Sequence, residues 1–280
     1  MQTENAAQQM QQKTIALIGG GNMAQAIVFG LLKQSYPADK ILVSDPNAHK
    51  LALFAQQGVQ ITQDNRHAAQ QAEVLLLAVK PQAMAEVCQG LQSVDFSQKL
   101  LISIAAGIEI QRLQQLLPSA QQIVRVMPNT PALVGQGMSG LFASAQVSPA
   151  NRQFAEQLLN AVGKSLWLEN EQQMHAVTAA SGSSPAYFFL LLETMQEALV
   201  KMGLAPEMAR ELVVQSMLGA ATIAQQNPQT ELAQLRQNVT SKGGTTAAAI
   251  AVFEQQNLAQ TVELALQACA ARSEQMGKLF

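Results

Sequence analysis

The chain has 280 residues, 48% of them hydrophobic and 13% charged, with a formal net charge of −2. That length accommodates two domains and a sizeable core. The near-neutral balance, with no basic cluster, excludes nucleic acid as an expected partner, and no apolar run approaches the roughly 20 residues of a membrane span, so no membrane association is expected either.

The opening MQTENAAQQMQQ lacks the apolar core of a signal peptide and reads as a disordered, Gln-rich tail over 1–12. Cys88 and Cys269 are too few for a disulfide framework. His49, His67 and His175 are scattered, without the spacing of metal ligands, so no metal is expected. Together these features predict a soluble cytoplasmic protein.

From 13 to 168, short apolar strands alternate with helical stretches. KTIALI is a buried strand running into a glycine turn, and a helix follows over 23–34. ILVSD is the second strand, with a helix over 48–57 after it, and VQIT, EVLLLAV, KLLISIA and QIVRVM are the third to sixth. MSGLFAS and KSLWLE read as closing strands around a helix that starts near Pro149. Continuous Val, Ile and Leu runs mark strands covered on both faces, as in a parallel sheet. The alternation predicts an α/β, Rossmann-type doubly wound sheet.

Past 168 the strand signals stop, which sets the predicted boundary of a second, all-helical domain over 169–280. Helices are expected over 171–180, 185–202, 206–226 and 230–238, and from 245 to the C-terminus. Pro185 and Pro206 occupy first-turn positions, where proline is tolerated. The helix over 185–202, PAYFFLLLETMQEALVKM, is apolar on nearly every side of its first half, the pattern of a helix buried all round. With ELVVQSMLGAATIA and AAAIAVF beside it, it predicts a core shared with a second chain; a core helix within a monomer is the alternative.

Two glycine turns carry the chemistry. TIALIGGGNMA places G-x-G-x-x-A at Gly19, Gly21 and Ala24, directly after a strand and opening a helix. Gly19 permits the tight turn, Gly21 lets the backbone approach a pyrophosphate, and Ala24 allows close packing of helix on strand. The helix N-terminus, beginning at Asn22 and Met23, turns free N–H groups and a positive dipole end toward the phosphates. Ligands of such sheets lie beyond the carboxyl ends of the strands. Those ends supply Ser44 and Asp45, Ala78 and Lys80 in AVKPQ, and Asn129 and Thr130 in MPNTP. Lys80 reads equally as a solvated loop lysine, whereas Pro128 and Pro131 fix the loop around Asn129 and Thr130.

The second turn lies in NVTSKGGTTAAAI. Gly243 and Gly244 sit between Thr240 and Ser241 on one side and Thr245 and Thr246 on the other, and an Ala-rich helix follows. One anion-ready turn suits a dinucleotide; a second suits a small substrate with a carboxylate and a reducible carbon. The run over 181–185, SGSSP, would shape the pocket, with Ser183 toward the substrate; as an alternative, Ser183 or Ser184 only caps the helix that follows.

NVTSKGGTTAAAIAVFE resembles the C-terminal signature of pyrroline-5-carboxylate reductases. AVKPQ, SIAAGI, MPNTPALVGQGMSGL and SGSSPAYFFLLLETMQEALVKMGL resemble that family too, in the same order, so that only the Gln-rich start falls outside the resemblance. The resemblance implies reduction of L-1-pyrroline-5-carboxylate to L-proline by hydride from NADPH or NADH, the last step of proline synthesis. It implies a Rossmann domain followed by a helical domain that interlocks into a homodimer, with larger rings of dimers among family members. Ser241, Gly243, Gly244, Thr245 and Thr246 match the family's substrate loop, and Thr246 the threonine that hydrogen-bonds the imine nitrogen. Asn65, Ala78, Lys80 and Asn129 match cofactor contacts. Lys242 stands where proline is frequent in the family.

Competing readings are a related β-hydroxyacid dehydrogenase or imine reductase, and a dinucleotide-binding protein without catalysis. The first commonly carries a Lys or Asp on the long helix after the Rossmann domain, where this chain has no Lys before Lys201. The second would not need a hydroxyl-rich second turn. Asp45 lies about where an acid bonds the adenosine ribose and favours NADH. The family resemblance pulls toward NADPH, with Ser44, Asn47 and Lys50 able to take a phosphate if Asp45 turns outward; both cofactors are therefore expected to work.

Overall fold

The computed structural model describes residues 10–277 and 279. The reading of the first residues as a tail concerns 1–12, of which 1–9 lie outside the described residues.

The chain runs β1 (Ile15–Ile18), α1 (Asn22–Lys33), β2 (Ile41–Ser44), α2 (Ala48–Ala55), β3 (Gln60–Thr62), α3 (Asn65–Gln71), β4 (Val74–Leu77) and α4 (Met84–Leu91). It continues with β5 (Leu100–Ser103), α5 (Ile110–Leu116), β6 (Gln122–Met127), β7 (Gly137–Ala143), α6 (Pro149–Asn160) and β8 (Gly163–Trp167). The eight strands form one sheet in the order β3-β2-β1-β4-β5-β6-β7-β8. All neighbours are parallel except β6 and β7, which are antiparallel.

The side-chain period of two explains why the central strands read as continuous apolar runs. Ile15, Leu17, Val74 and Leu76 face one layer with Ile27, Leu31 and Leu158. Ala16, Ile18, Leu75 and Leu77 face the other with Ala68, Met84 and Leu113. β3, at the edge, leaves Ile61 exposed. After β3 the chain crosses back to lay β4 on the other side of β1. The sheet therefore changes direction between β1 and β4, the place where ligands of doubly wound sheets bind.

The helices after the sheet are α7 (Gln173–Val177), α8 (Ser184–Lys201), α9 (Pro206–Gln226), α10 (Leu232–Asn238), α11 (Thr245–Gln255) and α12 (Leu258–Gly277). The run expected from 245 to the C-terminus is two helices, because Asn257 takes φ 54°, a left-handed conformation that asparagine tolerates. The expected cap at Ser183 or Ser184 is absent. The chain does not leave the helical region before Pro185; a single π-helical turn, Thr178–Gly182, joins α7 to α8, and the Ser183 N–H bonds the Thr178 carbonyl at 2.8 Å. Ser183 Oγ instead accepts from Cys269 Sγ at 3.3 Å.

Two compact units result. One runs through Ser183 and takes the chain back from Cys269; the other is Ser184–Ala268. The predicted boundary at 168 marks the end of the sheet after β8, whereas the compact unit continues because α7 is tied to the strands. Arg125 on β6, only 1% exposed, donates to Glu171 Oε1 at 2.8 Å, and the same oxygen accepts the Ile110 N–H at 2.9 Å. At the other end of the unit's helices, buried His175 Nδ1 meets Ser273 Oγ at 3.0 Å. The unit Ser184–Ala268 is different in kind. Its buried hydrophobic residues are Ala209 and Val213, while Phe188, Phe189 and Leu190 are 53%, 66% and 62% exposed. The α8 face predicted to be buried all round is therefore open within one chain.

Removing one partner of a buried ion pair leaves an uncompensated charge, which costs about 3 kcal/mol or more. Glu171→Ala is accordingly expected to lower the thermal midpoint by several degrees while Glu169→Ala, at an exposed position, leaves it in place, as read by thermal unfolding.

Candidate functional site

The first glycine turn is built by backbone contacts. Gly19 has φ 102°, and a Cβ there would lie 2.6 Å from the Ala78 carbonyl oxygen at the end of β4. Its N–H donates to Ser44 O at 2.7 Å, at the end of β2. Three strand ends, those of β1, β2 and β4, thus meet at one residue. Gly21 precedes α1 with extended backbone and no side-chain cap. A Cβ at Gly21 would meet no atom within 4 Å, so the space beside it is open to a ligand. Gln25 N–H is the first to bond back, to Gly21 O at 3.0 Å. The N–H groups of Asn22, Met23 and Ala24 therefore have no acceptor within the helix.

In front of this turn lies a cleft of about 590 Å³, lined by Gly19, Gly21, Ser44, Asp45, Asn65, Ala78 and Lys80 among the residues expected from the sequence. Lys50, Gln63, Val79 and Glu86 line it too. Lys50 was named from the sequence as able to take a phosphate; the other three lie on the segments after β3 and β4, so the rule that ligands sit beyond the strand ends would have found them. Among the expected cofactor residues, Asn22 and Met23 flank the cleft at the start of α1 without lining it, and Asn129 also falls outside it.

Asp45 does not turn outward. It is 4% exposed, and its Oδ2 accepts the Gly20 N–H at 2.8 Å while Oδ1 accepts the Asn47 N–H at 2.9 Å. Lys50 Nζ lies 3.2 Å from Oδ2. Burial alone would raise the Asp45 carboxyl, but the two N–H groups and the Lys50 ammonium outweigh it and hold the group below its ordinary value. Ser44 is fully buried, and its hydroxyl donates to Asn65 Oδ1 at 2.7 Å.

Asn129 follows β6 and is largely occupied by the protein itself. Its Nδ2 donates to Ser181 O at 3.1 Å and its Oδ1 accepts the Met138 N–H at 2.9 Å. One amide N–H is left over. The sequence placed Asn129 at the right strand end but could not reveal these partners.

The second glycine turn belongs to the helical unit. Gly243 has φ 73°, a conformation that glycine adopts without strain. Gly244 N–H closes the turn on Ser241 O at 3.0 Å and Gly244 then precedes α11 with extended backbone and no side-chain cap. The Ala248 N–H is the first to bond back, to Gly244 O at 3.2 Å, so the N–H groups of Thr245, Thr246 and Ala247 lack an acceptor within the helix. Thr240 is drawn the other way, its hydroxyl donating to Arg236 O at 2.6 Å at the end of α10. The Thr246 side chain is half-buried.

Among the described residues there is no group of His, Cys, Asp and Glu able to hold a metal ion, and no helix long and apolar enough to cross a membrane. What the arrangement offers is two open helix N-termini, one facing a cleft of dinucleotide type with the Asp45–Lys50 ion pair at its rim.

Comparison with known proteins agrees with both halves. A family model described as NADP oxidoreductase, coenzyme F420-dependent, matches residues 14–107. One described as pyrroline-5-carboxylate reductase dimerisation matches residues 171–276. A solved pyrroline-5-carboxylate reductase from Coxiella burnetii is 41% identical with a TM-score of 0.90, over 95% of this chain and 99% of that one. The Plasmodium falciparum pyrroline carboxylate reductase, solved with NADP bound, is 28% identical with a TM-score of 0.85, over 96% of this chain and 100% of that one. The pyrroline-5-carboxylate reductase of Haemophilus influenzae is 64% identical over 97% of this chain and 100% of its own length. At that identity over nearly the whole length of both chains, the chain belongs to the pyrroline-5-carboxylate reductase family.

Proposed function

We propose that the two turns divide the work of this enzyme: the first holds the pyrophosphate of a nicotinamide dinucleotide, and the second holds the carboxylate of L-1-pyrroline-5-carboxylate. The reaction is the reduction of that imine to L-proline, the last step of proline biosynthesis, by an NAD(P)H-dependent oxidoreductase. The observation that carries the division is the uncapped start of α11, whose Thr245, Thr246 and Ala247 N–H groups follow a left-handed Gly243 in a unit that has no sheet. Such a helix start favours a carboxylate through both its free donors and its dipole.

The bound dinucleotide supplies the hydride. Its fit rests on the open space at Gly21, the free N–H groups of Asn22 and Met23, and the cleft bounded by Ala78, Lys80 and Asn65. A protonated imine is already an electrophile, so the remaining tasks are orientation and electrostatics. Thr246 hydrogen-bonds the imine nitrogen. Ser241, Gly243, Gly244 and Thr245 form the carboxylate turn. Ser183 and Asn129 act by shaping: Ser183 accepts from Cys269, and Asn129 secures the Ser181 carbonyl.

The dimerisation region points to a homo-oligomer. The finer reading is a homodimer through Ser184–Ala268, alone or as the unit of a larger ring. Its support is the set of apolar α8 side chains left exposed in one chain: Phe188, Phe189 and Leu190. The reading also places the enzyme in the cytoplasm, with no nucleic acid as partner.

NADPH oxidation that depends on added pyrroline-5-carboxylate tests the activity directly; oxidation with a 3-oxoacid in its place, or no substrate dependence, would overturn it. Thr246→Ala is expected to lower turnover while cofactor affinity stays near that of the wild type, since one hydrogen bond of this kind contributes about 1–3 kcal/mol. Steady-state kinetics with unchanged turnover and weaker cofactor would remove Thr246 from its role. Light scattering at micromolar concentration is expected to give at least a dimer, and a fully active monomer would sink the shared core.

A further inference from the structure

The cleft at the first turn covers the ends of β2, β1 and β4. A dinucleotide with its pyrophosphate at that turn and its adenosine ribose at the end of β2 sends its other half past β4. The next strands in the sheet are β5 and β6. The loop after β5 is gripped at three points. Ile104 N–H donates to Leu77 O at 3.1 Å, at the end of β4. Ile110 N–H donates to Glu171 ahead of α7. Between them Gly107 turns, with φ 82°, against the last turn of α12. A Cβ at Gly277 would lie 2.8 Å from the Gly107 carbonyl oxygen, and one at Gly107 would lie 3.3 Å from the Gly277 nitrogen. The two glycines let backbone meet backbone where a side chain would push the loop away.

The end of β6 is tied to the same helix. Asn129 bonds Ser181 O in the π-helical turn, and two residues on, Ser183 Oγ accepts from Cys269 Sγ of α12. Cys269, Ser273 and Gly277 follow one another at four-residue spacing, on one face of α12. Each meets a different segment: Ser183, His175 on α7, and Gly107. Ser273 is the buried residue of α12. The last turns of the helix are therefore docked along one line, against the segments that carry the ends of β5 and β6. None of the three residues lines the cleft, so any effect they have on a ligand passes through the loops they seat.

We propose that this face of α12 positions the nicotinamide half of the cofactor, with Gly277 and Ser273 as the positioning residues: by seating Gly107, the helix end fixes the loop over 104–109 that bounds the nicotinamide end of the site. The inference rests on the functional reading above and adds to it residues outside both glycine turns. Hydride transfer is sensitive to small displacements of the donor carbon, so a loop moved by a fraction of an ångström is felt in turnover. The adenosine half, held at β1 and β2, is not touched by this contact.

Gly277→Ala tests this with one methyl group. Alanine favours a helix over glycine, so a loss comes from the Gly107 contact and not from α12 itself. Two ligands separate the halves of the site without turnover: NADPH, and 2′-phospho-ADP-ribose, which lacks the nicotinamide ring, each by isothermal titration. Gly277→Ala is expected to weaken NADPH about fivefold or more while 2′-phospho-ADP-ribose stays within about twofold of the wild type. Turnover with pyrroline-5-carboxylate is expected to fall about tenfold or more. Ser273→Ala, which adds no atom to the contact, is expected to show the same split to a smaller degree, and decides the matter if Gly277→Ala does not fold. A merely structural brace would lower the thermal midpoint and weaken both ligands alike; that result, or no change in either ligand, overturns the assignment. If the wild type binds neither ligand, the functional reading falls and this inference with it. If it binds both and reduces pyrroline-5-carboxylate while the two ligands respond alike to the variants, only the inference falls.

Discussion

The cleft depends on a contact between two stretches of backbone. Gly19 leaves β1 with φ 102°, and its Cα lies so near the Ala78 carbonyl that a Cβ would be 2.6 Å from the oxygen. No side chain could occupy that space, and few would tolerate that angle. The contact fixes the end of β1 against the end of β4, and the Gly19 N–H bond to Ser44 O fixes both against β2. Since β1 and β4 flank the point where strand order reverses, one glycine sets the width of the opening in which a ligand can sit. Asp45 then extends the arrangement by one residue, holding the Gly20 N–H. A charged side chain this deeply buried is sustained because two backbone N–H groups and the Lys50 ammonium are aimed at it.

The helical unit obeys the opposite economy. The sheet-bearing unit satisfies its apolar faces internally, in two layers above and below the strands. The unit Ser184–Ala268 has long helices with apolar residues on several sides and almost no interior of its own. Exposed apolar area of that extent marks a surface meant to be covered. On the proposed assignment, this also explains why the same unit holds its substrate with backbone. An N-terminus such as that of α11 keeps its donors whatever packs around the helix, whereas a catalytic side chain on α8 would compete with Phe188 and Phe189 for the covered face.

The central strands were legible because buried parallel strands have no polar alternation to disguise them, as in ILVS and VLLL; the less buried β3 and β8 were read from shorter apolar runs bounded by turns. Both glycine turns were legible because each needs its residue types at fixed spacing. The connection over 178–184 was not. SGSSP has the composition of a loop and a cap, yet it continues the helix through a π-helical turn. The reason lies in a distant residue. Pro185 has no N–H, so the Ser181 carbonyl four residues earlier lacks its ordinary helical donor, and Asn129 Nδ2 supplies it from the end of β6. A bond across 52 residues leaves no local trace in the sequence. The same holds for Arg125 and Glu171, for His175 and Ser273, and for Asp45, whose place at the strand end was legible but whose bond to the Gly20 N–H was not.

The one ion pair beside a glycine turn, Asp45 with Lys50, sits at the cofactor cleft, and the proposed chemistry asks for no acid–base pair at the second turn. Reduction of a ketone needs a proton delivered to oxygen as hydride arrives, which is why related dehydrogenases place a lysine or acid near the carbonyl. A cyclic imine that enters protonated has already met that need, and the proton stays on nitrogen in the product. On the proposed assignment, the protein has only to hold a carboxylate, orient a nitrogen and exclude misplaced approaches, tasks that backbone N–H groups and one threonine hydroxyl meet without titrating. The enzyme's pH response should therefore follow the substrate's own protonation more than any side chain of the site. The one carboxylate buried near the cofactor cleft, Asp45, is held ionised by its donors, so it stays charged across the range in which the imine gains and loses its proton.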